Sequence, residues 1–228
     1  MDQSSPDFGF APPHGPKPKK TYSEEATKEL LSAAGDASME GVTRLIQKGA
    51  DVNAVGEGEW HEGKTPLMLA AENNNNPDVL QVLIDNGADV NAVDVYGKTP
   101  LMFAAYFQYP DVLRALIDNG ADVNAVDKGG WTPLTWFARY NKNPDILRFL
   151  IDNGANVNVV NVEGRTPLML VAWKNKNPDV LQALIDNGAD VAIKDKEGKN
   201  ALDYADENED LKGTDAYNLL RGKMLSWK

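Results

Sequence analysis

Cysteine is absent from the 228 residues, which excludes disulfides and thiolate metal ligands and leaves the redox compartment open. Histidine occurs only at His14 and His61, so imidazole acid–base or zinc chemistry has almost no material to work with. No stretch approaches the roughly 18–20 consecutive apolar residues that a membrane-spanning helix needs. Nor does a basic-then-apolar leader follow Met1, so a soluble chain is expected. The cytoplasm is the favoured compartment; export stays open, because a secreted chain that has lost its leader reads the same way. Positive charge is also short. The 23 Lys and Arg against 34 Asp and Glu leave −11, which disfavours a nucleic-acid binder held by phosphate neutralisation.

Catalytic strings are missing as well. There is no GxSxG, Walker or HExxH pattern, and His61 has no matched serine. The reading is therefore non-enzymatic and without a cofactor. Its sharpest catalytic rival is a hydrolase built around His61 and the neighbouring glutamates. "DFGF" at Asp7–Phe10 has a kinase-like sound but precedes everything a kinase places before it. Residues 1–21 carry five prolines and no apolar period, and are expected to be a disordered or polyproline-like arm.

What the chain has is repetition. "IDNGADVNAVD" stands at Ile84–Asp94 and again at Ile117–Asp127, with looser copies beginning at Ile151 and Ile185. The glycines of NGA or KGA, at 49, 87, 120, 154 and 188, are 38, 33, 34 and 34 apart. The threonines of TPL, at 65, 99, 132 and 166, are 34, 33 and 34 apart, and Asn200 follows after 34. Two landmarks with one period imply a stacked solenoid in which each unit covers its neighbour.

Local chemistry gives each unit two helices. Thr99 is placed as an N-cap with Pro100 at the first helical position, opening a short alanine-bearing inner helix. Asn76, Asn143 and Asn177 precede Pro and Asp in the same capping arrangement, which opens an outer helix with an inward Leu80, Leu83 and Ile84 stripe. Gly87 ends that helix in a left-handed conformation. The recurring string is thus structural punctuation. It lacks the ligand register of a calcium loop, so no metal is expected.

"GKTPLMFAA…PDVLRALIDNGADVNAVD" resembles the ankyrin repeat, over roughly residues 24–223. The near-identity of the copies and the NPD signature resemble bacterial members more than metazoan ones. The departure lies after the Leu of TPL, where the family usually has histidine and this chain has Met68, Met102, Thr135 and Met169. The resemblance implies an all-α solenoid of helix-turn-helix pairs with short β-hairpin-like tips. The expected organisation is the arm at 1–21, an N-terminal capping repeat with an extended tip loop at 22–60, four repeats at 61–195, and a C-terminal capping repeat and tail at 196–228.

The resemblance also assigns partner contacts to the turn before TPL and to the residues after the paired alanines. In repeats three to five these places hold the aromatics Tyr96, Tyr106, Phe107, Trp131, Tyr140 and Trp173, together with Arg139, Arg165 and Lys174. Counted over repeats two to six, such positions carry eight Lys and Arg against five Glu, inverting the sign of the whole chain. Aromatics and arginine carry most interface energy, so an acidic protein or peptide partner is expected on the concave face of a monomer. Inter-repeat packing competes for the same side chains, and Phe103, Trp136 and Phe137 are assigned to the core. An enzyme inhibitor or a self-associating module would use the same face.

Two irregularities stand out. The inter-helix turn of repeat three, "YFQYPD", is one residue shorter than "ENNNNPD" and puts Tyr109 where its siblings have an asparagine cap. The tip loop at 54–64 is four residues longer than its counterparts and carries Trp60, His61 and three glutamates. It is open to gripping a partner's edge or weakly holding a metal.

Overall fold

The computed structural model describes residues 21–57, 62–140 and 142–226. The expectations for the arm and for Trp60 and His61 fall outside these residues. Among them are twelve helices and no strand. Odd-numbered helices form one layer: α1 (Glu24–Ala33), α3 (Pro66–Asn73), α5 (Pro100–Phe107), α7 (Pro133–Tyr140), α9 (Pro167–Lys174) and α11 (Ala201–Asp206). Even-numbered helices form the other: α2 (Met39–Gln47), α4 (Pro77–Asp85), α6 (Pro110–Asp118), α8 (Pro144–Asp152), α10 (Pro178–Asp186) and α12 (Asp215–Ser226).

The inner layer is continuous, each helix packing on the next from α1 to α11. Small side chains permit that approach. Ala70, Ala71, Ala104, Ala105, Ala138 and Ala172 are fully buried, as are Leu67, Leu101, Leu134 and Leu168 of the TPL turns. Outer helices contribute a Leu-x-x-Leu stripe, with Leu80, Leu83, Leu113, Leu116, Leu147 and Leu150 all at 0% exposure. Each such leucine contributes about 1.5–3 kcal/mol by leaving water. Ile84 is half-buried at the edge of that stripe. Between α6 and α8 the layer is also bridged by Arg114, whose guanidinium lies 4.5 Å from the Phe149 ring.

Capping follows the sequence closely, with one exception. Asn76, Asn143 and Asn177 accept from the backbone N–H of Asp78, Asp145 and Asp179, each at 3.0 Å. Thr65 and Thr166 accept from Met68 and Met169 N–H. Thr99 makes no such bond, and its buried hydroxyl has no partner among the described residues. Of the four residues that follow the TPL leucines, Thr135 alone carries a hydroxyl. It accepts from Thr132 N–H at 2.6 Å and donates to Thr132 O at 2.9 Å.

Tips are tight turns. Asp94 N–H donates to Lys98 O at 3.0 Å, while Asp94 Oδ1 accepts from the N–H groups of Tyr96 and Lys98, both at 2.8 Å. Each tip is joined to the next by one backbone bond: Val95 N–H to Glu62 O, Lys128 N–H to Tyr96 O, Val162 N–H to Gly129 O and Lys196 N–H to Glu163 O. Close approach demands glycine at Gly130, where φ is +74° and a Cβ would stand 2.9 Å from the Val162 nitrogen. The long first tip is closed by Gly56 N–H on Lys64 O.

Across the opposite edge, a series of asparagines clamps successive units. Asn53, Asn91, Asn124 and Asn158 each donate Nδ2–H to a glycine carbonyl one unit later, at Gly87, Gly120, Gly154 and Gly188. Each also accepts on Oδ1 from the N–H two residues beyond that glycine, at Asp89, Asp122, Asn156 and Asp190. The repeated string therefore stitches neighbours together as well as ending helices.

Repeat three closes its short turn by another route. Gln108 adopts a left-handed conformation, φ +67°, and its N–H donates to Ala104 O at 3.1 Å. Its side chain reaches the next unit, donating to Tyr140 O at 3.0 Å. Tyr109 caps nothing with its side chain.

Candidate functional site

The Lys64 position recurs as Lys98, Trp131, Arg165 and Lys199, always one residue before the N-cap of an inner helix. Eight residues further on, at the end of that helix, stand Glu72, Tyr106, Arg139, Trp173 and Glu207. These two places face each other. In the outer pairs they form ion pairs, Lys64–Glu72 at 2.8 Å and Lys199–Glu207 at 2.9 Å. In the three middle units that carboxylate is replaced by a tyrosine, an arginine and a tryptophan, and the charge balance changes.

A chain of rings and cations results. Lys98 Nζ lies 4.6 Å from the Trp136 ring centroid, 5.7 Å from Tyr96 and 5.9 Å from Phe103. Trp136 packs 4.9 Å from Trp131, 5.8 Å from Tyr106 and 6.0 Å from Tyr140. Tyr106 is 4.7 Å from both Phe107 and Tyr140, edge to face. The Arg139 guanidinium sits 5.7 Å from Trp131, 5.4 Å from Tyr140 and 5.1 Å from Trp173. Arg165 and Lys174 approach Trp173 at 4.9 and 4.5 Å. Edge-to-face rings and cations over ring faces are each worth of the order of 0.5–1 kcal/mol at such exposure.

All nine residues singled out from the sequence thus lie in one connected strip. They differ in how far they are covered. Tyr96, Tyr106, Phe107, Tyr140 and Lys174 are exposed, whereas Trp131, Arg139, Arg165 and Trp173 are half-buried. Trp131 and Trp173 also pack against the core, so they serve stacking as well as the surface. Trp136, assigned to the core from sequence, is half-buried at the centre of the strip, with its indole N–H donating to Asp127 Oδ2 at 3.1 Å. Phe103 and Phe137 are buried as assigned, although one side of Phe103 lines a cleft.

Electrostatics separate the two ends. At the repeat-five end, Arg165 Nε donates to Tyr204 Oη at 3.1 Å and lies 3.6 Å from Asp195 Oδ2, while its Nη2 donates to Glu197 at 3.0 Å. Burial pushes the Asp195 carboxyl upward. The Tyr204 hydroxyl, the Lys199 and Glu197 amides and Arg165 outweigh that and hold it below the ordinary carboxylate range. Burial and the bond to Asp195 hold the Tyr204 phenol above its usual value. At the other end the Tyr96 hydroxyl donates to Glu62 at 3.0 Å, and that carboxylate raises the phenol. Among the described residues, Lys98, Arg139 and Lys174 have no carboxylate partner.

A cleft of about 410 Å³ opens beside Lys98, between the second and fourth units, walled by Phe103, Tyr106, Trp136 and Tyr140 and by Lys64 and Glu72. No group of three or more metal-ligating side chains occurs among the described residues. No described helix is long and apolar enough to cross a membrane.

A family model for ankyrin repeats, described as three copies, matches residues 30–127 and 119–195. No curated protein matches the chain.

Proposed function

Because the chain belongs to the ankyrin-repeat family, whose members are generally protein–protein interaction modules, we propose that it is a non-catalytic scaffold capturing an acidic protein segment along its inner, concave face. The observation that carries the reading is the loss of the Lys–Glu pairing in the middle units. Where the outer units neutralise their cation with Glu72 or Glu207, the middle ones put Tyr106, Arg139 and Trp173, and among the described residues Lys98, Arg139 and Lys174 have no carboxylate partner. Unpaired cations set among aromatic faces suit carboxylates interspersed with apolar side chains. The rest of the acidic surface steers basic partners elsewhere.

The test is fluorescence anisotropy with two labelled peptides of equal length, one alternating glutamate with phenylalanine and leucine, the other with lysine in place of glutamate. Retention of the acidic peptide is expected, weakening as salt rises. A Lys98→Ala/Arg139→Ala variant should bind it at least about tenfold less tightly, and Trp131→Ala or Tyr106→Ala comparably. Equal retention of both peptides, or unchanged binding by these variants, overturns the reading.

A further inference from the structure

The turn aspartate of each tip has two oxygens, and the turn uses one. Asn161 proves this within the chain, because its single carbonyl oxygen accepts from the N–H groups of Glu163 and Arg165 in the same geometry. Where aspartate stands instead, its second oxygen needs a donor. For Asp127 it is the Trp136 indole, and for Asp195 the Tyr204 hydroxyl. Both rings occupy one register of the inner helix. In the third unit that register holds Phe103, which has nothing to donate, and Asp94 Oδ2 is left buried without a partner among the described residues. Asp94 is 6% exposed and lines the cleft beside Lys98. A buried carboxylate oxygen without a donor is costly.

The boundary between units five and six displays the group that fits such a place. There Arg165, from the preceding unit, lays its guanidinium 4.9 Å from Trp173 and 5.7 Å from Tyr204, within 3.6 Å of Asp195 Oδ2. Its counterpart at the Asp94 boundary is Lys64, 5.0 Å from Phe103. That ammonium does not serve Asp94; it is held by Glu72, which stands where Trp173 stands at the other boundary. The carboxylate and one flanking ring, Phe103, are present and the guanidinium is missing; the second ring is supplied by Trp136, which lines the same cleft from the following unit.

We infer that this cleft is a subsite for one arginine side chain of a bound partner. The planar guanidinium stacks on Trp136 and donates to Asp94 Oδ2, which a lysine ammonium would do without the stacking fit. Lys98 also lines the cleft, its ammonium over the Trp136 face. Among the described residues no ion pair holds that ammonium, so it swings off the ring as the guanidinium enters. The inference stands apart from the acidic-segment reading, since it concerns a single cationic anchor whatever the charge of the residues around it.

The experiment is a titration of the isotope-labelled full chain with N-acetyl-arginine methylamide, followed by nuclear magnetic resonance. The Tyr96 and Lys98 amides, both bonded to Asp94, and the Trp136 indole should shift; N-acetyl-norleucine methylamide should leave them in place. Asp94→Asn keeps the turn, as Asn161 does, and should weaken arginine binding at least about tenfold. Phe103→Tyr supplies the internal donor that Tyr204 supplies to Asp195, and should abolish binding while raising the thermal midpoint. Lys98→Ala should tighten the arginine probe while weakening an acidic peptide, so the two readings fail separately. Loss of binding in both Asp94→Asn and Phe103→Tyr carries the inference. Wild-type binding by either variant, or an equal response to the norleucine probe, overturns it; should Asp94→Asn not fold, Phe103→Tyr decides alone.

Discussion

The indole of Trp136 donates its N–H to Asp127 Oδ2 at 3.1 Å while presenting its ring face to Lys98 at 4.6 Å. One side chain thereby satisfies a buried carboxylate in its own unit and supports a cation from the unit before. The two roles are separable by chemistry. Only the first needs a donor, and only the second needs the ring.

Trp136→Phe removes the donor and keeps a ring, recreating at Asp127 the state in which Asp94 already stands. A loss of about 1–3 kcal/mol is expected, the cost of leaving a buried acceptor unpaired. Urea unfolding measures it. Adding Asp127→Asn should recover part of the loss, because asparagine serves the same turn at Asn161.

Asn124 ties two units through Nδ2 to Gly154 O at 2.8 Å and through Oδ1 to Asn156 N–H at 2.9 Å. Replacing it with alanine removes both bonds and no buried apolar surface. A loss of about 1–2 kcal/mol is expected by denaturant titration, each such bond contributing roughly 0.5–1.5 kcal/mol. An effect confined to a few tenths would mean that water replaces the clamp at no cost.

The depressed Asp195 carboxyl has a pH signature. A folded-state value below the unfolded one contributes stability that is fully present above the unfolded value, near 4, and is lost as pH falls through the folded one. Asp195→Asn should therefore be less stable than the parent by about 1–3 kcal/mol at pH 7. The gap should stay level down to about pH 4 and close below it. Stability curves of the two proteins between pH 7 and pH 2.5 check this; a gap that persists at the acid end would assign the effect to shape instead of charge.

The fold was legible because its signals are local. Proline at the first helical position, asparagine one residue before it and glycine after the last leucine each act within a turn. The helices Pro77–Asp85, Pro144–Asp152 and Pro178–Asp186 begin and end where those residues dictate. The nine candidate residues came from the resemblance, and their connection into one strip depends on side-chain reach across units.

Trp136 was misplaced in the core because Leu69, Phe103 and Leu170 share its register and are buried; an indole is longer than any of them and extends to the groove. Lys98 was counted among the contact positions but left out of the nine, although its singularity was readable. Lys64 and Lys199 are each followed eight residues later by glutamate, and Lys98 by Tyr106. The Gln108 turn left no trace in sequence, because nothing about glutamine announces a positive φ. Thr99 carries the same residue as Thr65 and Thr166, so its failure to cap was equally silent.

The asparagine clamps run through Asn53, Asn91, Asn124 and Asn158, and Ala192 stands at the following place. The first five units are laced to one another on that edge and the sixth is not. Opening is thereby given a direction: amides of α11 and α12 should exchange with deuterium ahead of those in α5 to α9. The strip of rings and cations lies inside the laced portion, and its shape outlasts the peeling of the unit beyond it.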